Sequence, residues 1–158
     1  MPYTVADVNA VVERLWPLSG AEAWDAAGLV SGDPAAAVTR ILFTVDVVAD
    51  VVSEATELGA DLLIAHHPLL LRGVTSIAED GYKGAALASL IRGGCALIAA
   101  HTNADVVERG TSAILAKRLG LLDAQRITAG ETPSRGIGRT GRLAEPTTLG
   151  RLARLLAD

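Results

Sequence analysis

The chain is poor in the features that mark several large classes of protein. It has a single cysteine, Cys95, so an intrachain disulfide is excluded and a reducing, cytoplasmic setting is expected. Cys95 lies in the apolar run Cys95-Ala96-Leu97-Ile98-Ala99-Ala100, which reads as core rather than as a reactive thiol. Aromatic residues make up only 3% of the chain, so aliphatic side chains must build the core. No apolar run approaches the length of a membrane span. No basic segment followed by a long apolar stretch opens the chain, so no signal peptide is expected. Blocks of like charge are missing too, and the formal net charge of -4 argues against a strongly basic nucleic-acid surface. G-x-x-x-x-G-K-[ST] and G-x-S-x-G are both absent, which removes support for P-loop and α/β-hydrolase chemistry.

What is present is abundant Val, Leu, Ile and Ala within 158 residues, 50% of them hydrophobic. That length suits one ordinary domain, and a branched-aliphatic core suits buried parallel strands covered by helices. Thr4 to Leu15 carries Val5, Val8, Val11, Val12 and Leu15 at helical spacing, with Thr4 as N-cap. Pro17 ends it, and residues 18–38 read as irregular structure punctuated by glycines and Pro34. A repeating pattern follows. Residues 40–45, 61–65 and 96–100 are buried-strand candidates. Helical segments lie at 48–58, 85–91 and 111–119, and glycines close them. This alternation predicts an α/β fold, a mainly parallel sheet flanked by helices. Right-handed crossovers then bring the strand C-termini to one edge, where ligand sites of open α/β sheets form. Residues 124–143 suggest one or two short strands with turns around Gly130 and Pro133. Pro146-Thr147-Thr148 opens a final helix with Leu149, Leu152, Leu155 and Leu156 as its apolar stripe. The expectation is one α/β metal-binding domain over 1–158, with its core in 1–122 and glycine-rich strands and a last helix in 123–158.

The sequence has three histidines, and each follows a predicted strand. His66 and His67 follow the second and His101 the third, while Asp46 follows the first and Asp105 comes four residues after His101. Imidazole nitrogen and carboxylate oxygen are the usual ligands of zinc, iron and manganese. Neighbouring strand residues point to opposite faces, but a strand turning into a loop can bring both His66 and His67 to one site. Adjacent histidines can also serve two ions about 3.5–4 Å apart. Asp105 can bind directly, and His101 or Asp46 can bind or orient a ligand. The bland alternative is that these residues are polar caps at strand ends. A DHH-type phosphoesterase would need an aspartate where Ala65 stands. Gly136-Ile137-Gly138-Arg139-Thr140-Gly141 matches G-x-G-x-x-G literally, but Pro146 interrupts any following helix. A glycine-rich strand or bulge is therefore expected rather than a dinucleotide site.

Several segments, in order, resemble the N-terminal part of the GTP cyclohydrolase I type 2 homolog, or Nif-three-like, family. They are Trp24-Asp25-Ala26-Ala27-Gly28-Leu29, Val45-Asp46, Gly59 through Pro68, His101-Thr102-Asn103-Ala104-Asp105 and the glycine-rich segment at 136–141. The resemblance implies a Nif-three-like fold, a toroidal homohexamer and a dinuclear centre of zinc, iron or manganese. It implies His66, His67 and Asp105 as metal ligands, and His101 beside them as an additional ligand or a residue that orients one. It also implies a metal-dependent hydrolase, GTP cyclohydrolase-like or a phosphohydrolase, acting on a nucleotide or phosphorylated small molecule. The alternative is an oligomeric scaffold with a structural or vestigial metal. Thr102, Asn103 and Asp46 are candidates to hydrogen-bond substrate. Family members carry a further His and Glu near the C-terminus. This chain has no histidine after His101 and no glutamate after Glu145, so a truncated fold leading to a missing C-terminal part is expected.

Overall fold

A computed structural model describes residues 2–130 and 135–157. The chain divides into two compact units, Met1–Asn103 and Ala104–Asp158.

The first unit opens with a short strand β1 (Tyr3–Thr4) and helix α1 (Val5–Leu15). Thr4 caps α1 as the sequence predicts. Its side chain accepts from the Asp7 N–H, and the Asp7 carboxylate accepts from the Thr4 N–H, a reciprocal capping box. Val5 and Val12 are buried, whereas Val11 and Leu15 on the flank of the stripe stay exposed.

The segment expected to be irregular holds more structure than its composition shows. A 3₁₀ turn at Leu18–Gly20 is followed by β2 (Gly28–Ser31) and β3 (Ala37–Val38). The repeating region then yields β4 (Ile41–Thr44), α2 (Ala49–Glu57), β5 (Leu62–Ala65), α3 (Tyr82–Arg92) and β6 (Ala96–Ala99). Strands β4, β5 and β6 pair in parallel, and β2 joins the outer side of β6 antiparallel, giving the order β2-β6-β5-β4. The sheet is thus mainly parallel but mixed. The antiparallel strand escaped the sequence reading because Gly28-Leu29-Val30-Ser31 is short and sits among turn residues.

All residues of β5 and β6 are buried because both faces are covered. Leu63, Ala65 and Leu97 pack with Val52 and Ala55 of α2 and with Ala86, Leu87 and Leu90 of α3. On the other face Leu62, Ile64, Ala96 and Ile98 pack with Val5 and Val12 of α1 and with Val38. Strand β4 corrects the expectation of burial. It is an edge strand, and Phe43 is 65% exposed.

The register decides where functional groups emerge. Thr44 pairs with Ala65 and Ala65 with Ala99, so the parallel strands end flush. Pairing continues one step past them, with the His66 N–H on the Thr44 carbonyl, the His67 N–H on the Val45 carbonyl and the Ala100 N–H on the Ala65 carbonyl. Gly28 pairs with Ala99, so antiparallel β2 begins at that same edge. After β6 comes a short helix α4 (Thr102–Val106), a segment to which the sequence assigns no element.

In the second unit, α5 (Thr111–Arg118) leads into four short strands, β7 (Leu122–Gln125), β8 (Thr128–Ala129), β9 (Gly136–Ile137) and β10 (Thr140–Arg142). β7 pairs with β10 and β8 with β9, both antiparallel. The literal G-x-G-x-x-G therefore lies in a hairpin, with a register shift between Thr140 and Arg142, as the strand-or-bulge expectation has it. Pro133 lies outside the described residues. Helix α6 (Leu149–Ala157) closes the unit. Its Leu152 and Leu155 line a groove of about 570 Å³ together with Leu119 and Leu143. Among the described residues no helix is long and apolar enough to cross a membrane.

Two outcomes test this packing. Leu97→Ala, at a fully buried position, should cost about 2–5 kcal/mol in denaturant unfolding, against about 0.5 kcal/mol or less for Val11→Ala. Burial pushes the Cys95 thiol up to about 11. Native protein should therefore resist thiol reagents at neutral pH and react fully only when unfolded.

Candidate metal centre

The flush strand ends deliver His66 and His67 directly after β5 and His101 just after β6. The rings meet. Their centroids are 5.0 Å apart for His66 and His67, 5.2 Å for His66 and His101, and 5.6 Å for His67 and His101. One ring nitrogen from each lies within 4.8 Å of the other two. The backbone turns away from strand geometry at residue 66, which lets adjacent side chains reach one point.

Each ring is oriented through Nδ1. His66 Nδ1 lies 2.9 Å from the Ala100 carbonyl oxygen. A carbonyl only accepts, so Nδ1 carries the proton and Nε2 the lone pair. His67 Nδ1 lies 2.8 Å from Asp46 Oδ1 and His101 Nδ1 lies 2.9 Å from Asp25 Oδ1. A carboxylate partner favours the same tautomer. Each Nδ1 thus has a protein partner, and each histidine still offers one ring nitrogen to a common point.

The two carboxylates differ in setting. Asp46 and His67 form an exposed pair, with side chains 60% and 49% accessible. The Asp25 side chain is fully buried. Asp25 also accepts from the Ala26 N–H, from the Thr102 N–H and from the Thr102 hydroxyl. Burial alone would raise its pKa. The hydrogen bonds from Thr102, His101 and Ala26 outweigh that and hold the carboxyl below its ordinary value.

Thr102 and Asn103, considered as substrate contacts, are both buried. The Thr102 hydroxyl accepts from the Glu22 N–H while donating to Asp25. The Asn103 side chain accepts from the His101 N–H and donates to the Trp16 carbonyl. Both brace the loop that carries His101. Asp105 belongs to the second unit, where its carboxylate accepts from the Thr111 hydroxyl. His101, expected to stand beside the ligands, is part of the cluster itself.

Asp25 is the residue that sequence reasoning missed as a site group, although its segment carried part of the resemblance. It lies three residues before β2, and only the antiparallel docking of β2 on β6 brings it to His101, 76 residues away. Recognising Gly28–Ser31 as a strand would have placed it.

The chemistry of the donor set fits a borderline divalent cation. Neutral imidazoles with outer carboxylate or carbonyl partners are the usual arrangement for zinc and related ions, and three protein ligands leave coordination positions open.

Residues 3–158 match the model of the family described as Duf34/NIF3 (NGG1p interacting factor 3). A Streptomyces coelicolor protein named GTP cyclohydrolase 1 type 2 homolog is 42% identical over 157 residues, which are 98% of this chain and 55% of that protein. A Staphylococcus aureus protein of the same name is 43% identical over 117 residues, 74% of this chain and 32% of its own length. The chain therefore spans about half, or less, of the curated relatives it matches. Among solved structures, the Staphylococcus aureus hypothetical protein SA1388 superimposes with a TM-score of 0.88 at 30% identity, covering 99% of this chain and 64% of that one. Reduced HcgD from Methanocaldococcus jannaschii shares the fold, with a TM-score of 0.83 at 23% identity over 97% of this chain and 58% of that one.

The unequal setting of the two carboxylates gives a direct test. Asp25→Ala strands the His101 Nδ1–H and two Thr102 donors in a buried place. It should cost at least about 1–3 kcal/mol and release the His101 tautomer, seen as a shift of its imidazole nitrogen resonances. Asp46→Ala, at an exposed pair, should cost under about 1 kcal/mol. Equal effects would contradict the geometry.

Proposed function

The chain belongs to the Duf34/NIF3 family, and we propose that it binds a divalent metal ion through His66, His67 and His101 and hydrolyses a nucleotide or a phosphorylated small molecule with it. The observation that carries the reading is the shared orientation of the rings, each Nδ1 held by a protein acceptor and the ligating nitrogens converging within 4.8 Å. Polar caps at strand ends would have no reason to share a tautomer and a focus. The ligand set expected on resemblance was His66, His67 and Asp105. This reading gives the third place to His101 and does not depend on Asp105.

Zinc, iron and manganese all suit imidazole donors. When bound, the ion supplies Lewis acidity toward a water molecule and a phosphoryl oxygen. The chain's own contribution is positional. The Ala100 carbonyl and the Asp25 and Asp46 carboxylates keep the three lone pairs aimed inward, which spares the ion the cost of reorganising its ligands. Buried Asp25 fixes one side of the centre. His67 and Asp46, both substantially exposed, leave the other side open to water and substrate. Asp46 can also accept a substrate proton or hydroxyl there.

An oligomeric scaffold with a structural metal is the second reading. The outer edge of β4, unpaired among the described residues, favours it, with Phe43 on the strand and Val45 just after it exposed.

Metal-free protein, prepared with a chelator and then offered zinc, manganese or iron, should retain metal after gel filtration by elemental analysis. His66→Ala combined with His67→Ala should abolish retention, and Asp25→Asn should weaken it about 10–100-fold. No metal on the unaltered protein sinks the reading. Phosphate release from nucleotides supports the hydrolase, whereas bound metal in a stable oligomer without turnover supports the scaffold.

A further inference from the structure

The glycine-rich hairpin of the second unit contains an arrangement that the histidine cluster does not use. Gln125 pairs with Thr140 on one side and Thr128 with Ile137 on the other. Both pairs keep the same offset, so Arg126 falls opposite Arg139 where the ladder is interrupted. Like charges directly opposite one another on paired strands are destabilising, and nothing in a simple hairpin requires them.

Among the described residues neither arginine is paired with a carboxylate. Arg139 Nη1 donates to the carbonyls of Gly136 and Gly138, both at 2.6 Å, and Nη2 reaches the Val107 carbonyl at 3.4 Å. These contacts fix the guanidinium without cancelling its charge, and they leave Nε–H and one Nη2–H uncommitted. Arg139 is half-buried. Burial, and then the neighbouring Arg126 charge, pull its pKa down. Among the described residues Arg126 has no hydrogen-bond or ion-pair partner, so its five donors remain available. The fold also makes room for its stem. A Cβ on Gly136, where φ is +157°, would lie 2.6 Å from Arg126 Cδ and 2.4 Å from the Thr128 carbonyl oxygen. Glycine at that position lets the Arg126 side chain cross the backbone toward Arg139.

We propose that Arg126 and Arg139 form an anion-binding clasp for a phosphate or pyrophosphate group, free or carried by a small molecule. A multiply charged oxyanion between them replaces like-charge repulsion with charge-assisted hydrogen bonds from two planar donors. Arg139 is the fixed half, anchored by three carbonyls, and Arg126 is the mobile half that closes on the anion. The glycines serve neither a dinucleotide nor a helix N-terminus. They let one arginine cross the backbone and supply the carbonyls that hold the other. This inference goes beyond the metal reading and stands without it.

The test uses metal-free protein, so no ion at the histidine cluster can contribute. Inorganic phosphate and pyrophosphate are titrated by calorimetry at low salt, with phosphorus NMR line broadening as a second readout. Pyrophosphate should bind saturably and more tightly than phosphate. Arg126→Gln, at an exposed position that leaves the Arg139 anchor intact, should weaken binding about tenfold or more. Arg126→Lys should restore part of it. Arg118→Gln, the same charge change on α5, should leave it unaltered, and circular dichroism should show all three variants folded. No saturable binding, or equal affinity in the Arg126→Gln and Arg118→Gln proteins, overturns the clasp. Loss of metal binding in the His66 and His67 variants has no bearing on it.

Discussion

Strands β4, β5 and β6 run in parallel and stop level with one another, and the geometry of the histidine cluster depends on that alignment. Parallel pairing fixes direction, and the crossover helices α2 and α3 return the chain to the same starting edge each time. The in-register match of Thr44, Ala65 and Ala99 then sets Asp46, the His66–His67 pair and His101 side by side. A slip of one residue in any strand would exchange its two faces. It would place Leu62 and Ile64 where Leu63 and Ala65 belong and separate the imidazoles. Burial of β5 and β6 on both faces is what forbids the slip. The hydrophobic core and the candidate site are therefore held by one constraint.

Above that alignment sits a layer of polar fixing. A histidine cluster can ligate only if its rings present lone pairs rather than protons. Here a backbone carbonyl, an exposed carboxylate and a buried carboxylate each accept from one Nδ1. Thr102 and Asn103 serve the same end one step further out. They tie the turn after β6 to Asp25, to the Glu22 backbone and to the Trp16 carbonyl.

The sequence made the repeating strands and helices legible because their apolar runs and glycine stops are strong local signals. The histidines at strand ends followed from the same pattern. What escaped was everything that depends on pairing rather than on composition. Gly28–Ser31 looks like loop, and it becomes a strand only because the outer side of β6 needs a partner. Phe43 looks like core, and it is exposed because β4 has a neighbour on one side only. The meeting of His101 with His66 and His67 escaped too, since spacing along the chain does not say which rings converge. Asp25 could not be assigned because its partner lies 76 residues away.

That separation has a bearing on how the protein tolerates change. Residues 18–27 hold little regular structure, and such stretches usually accept insertions and deletions. Here the stretch is a measured tether. It must span from the end of α1 to the start of β2 with Asp25 delivered beneath His101 on arrival. An added or lost residue there would leave the parallel strands and both hydrophobic clusters standing while the buried carboxylate missed its histidine. The exposed loop at 71–81, by contrast, carries no group of the site. In an insertion scan, the contact of Asp25 with His101 would fail at the irregular tether before the fold did, and both would survive at the loop.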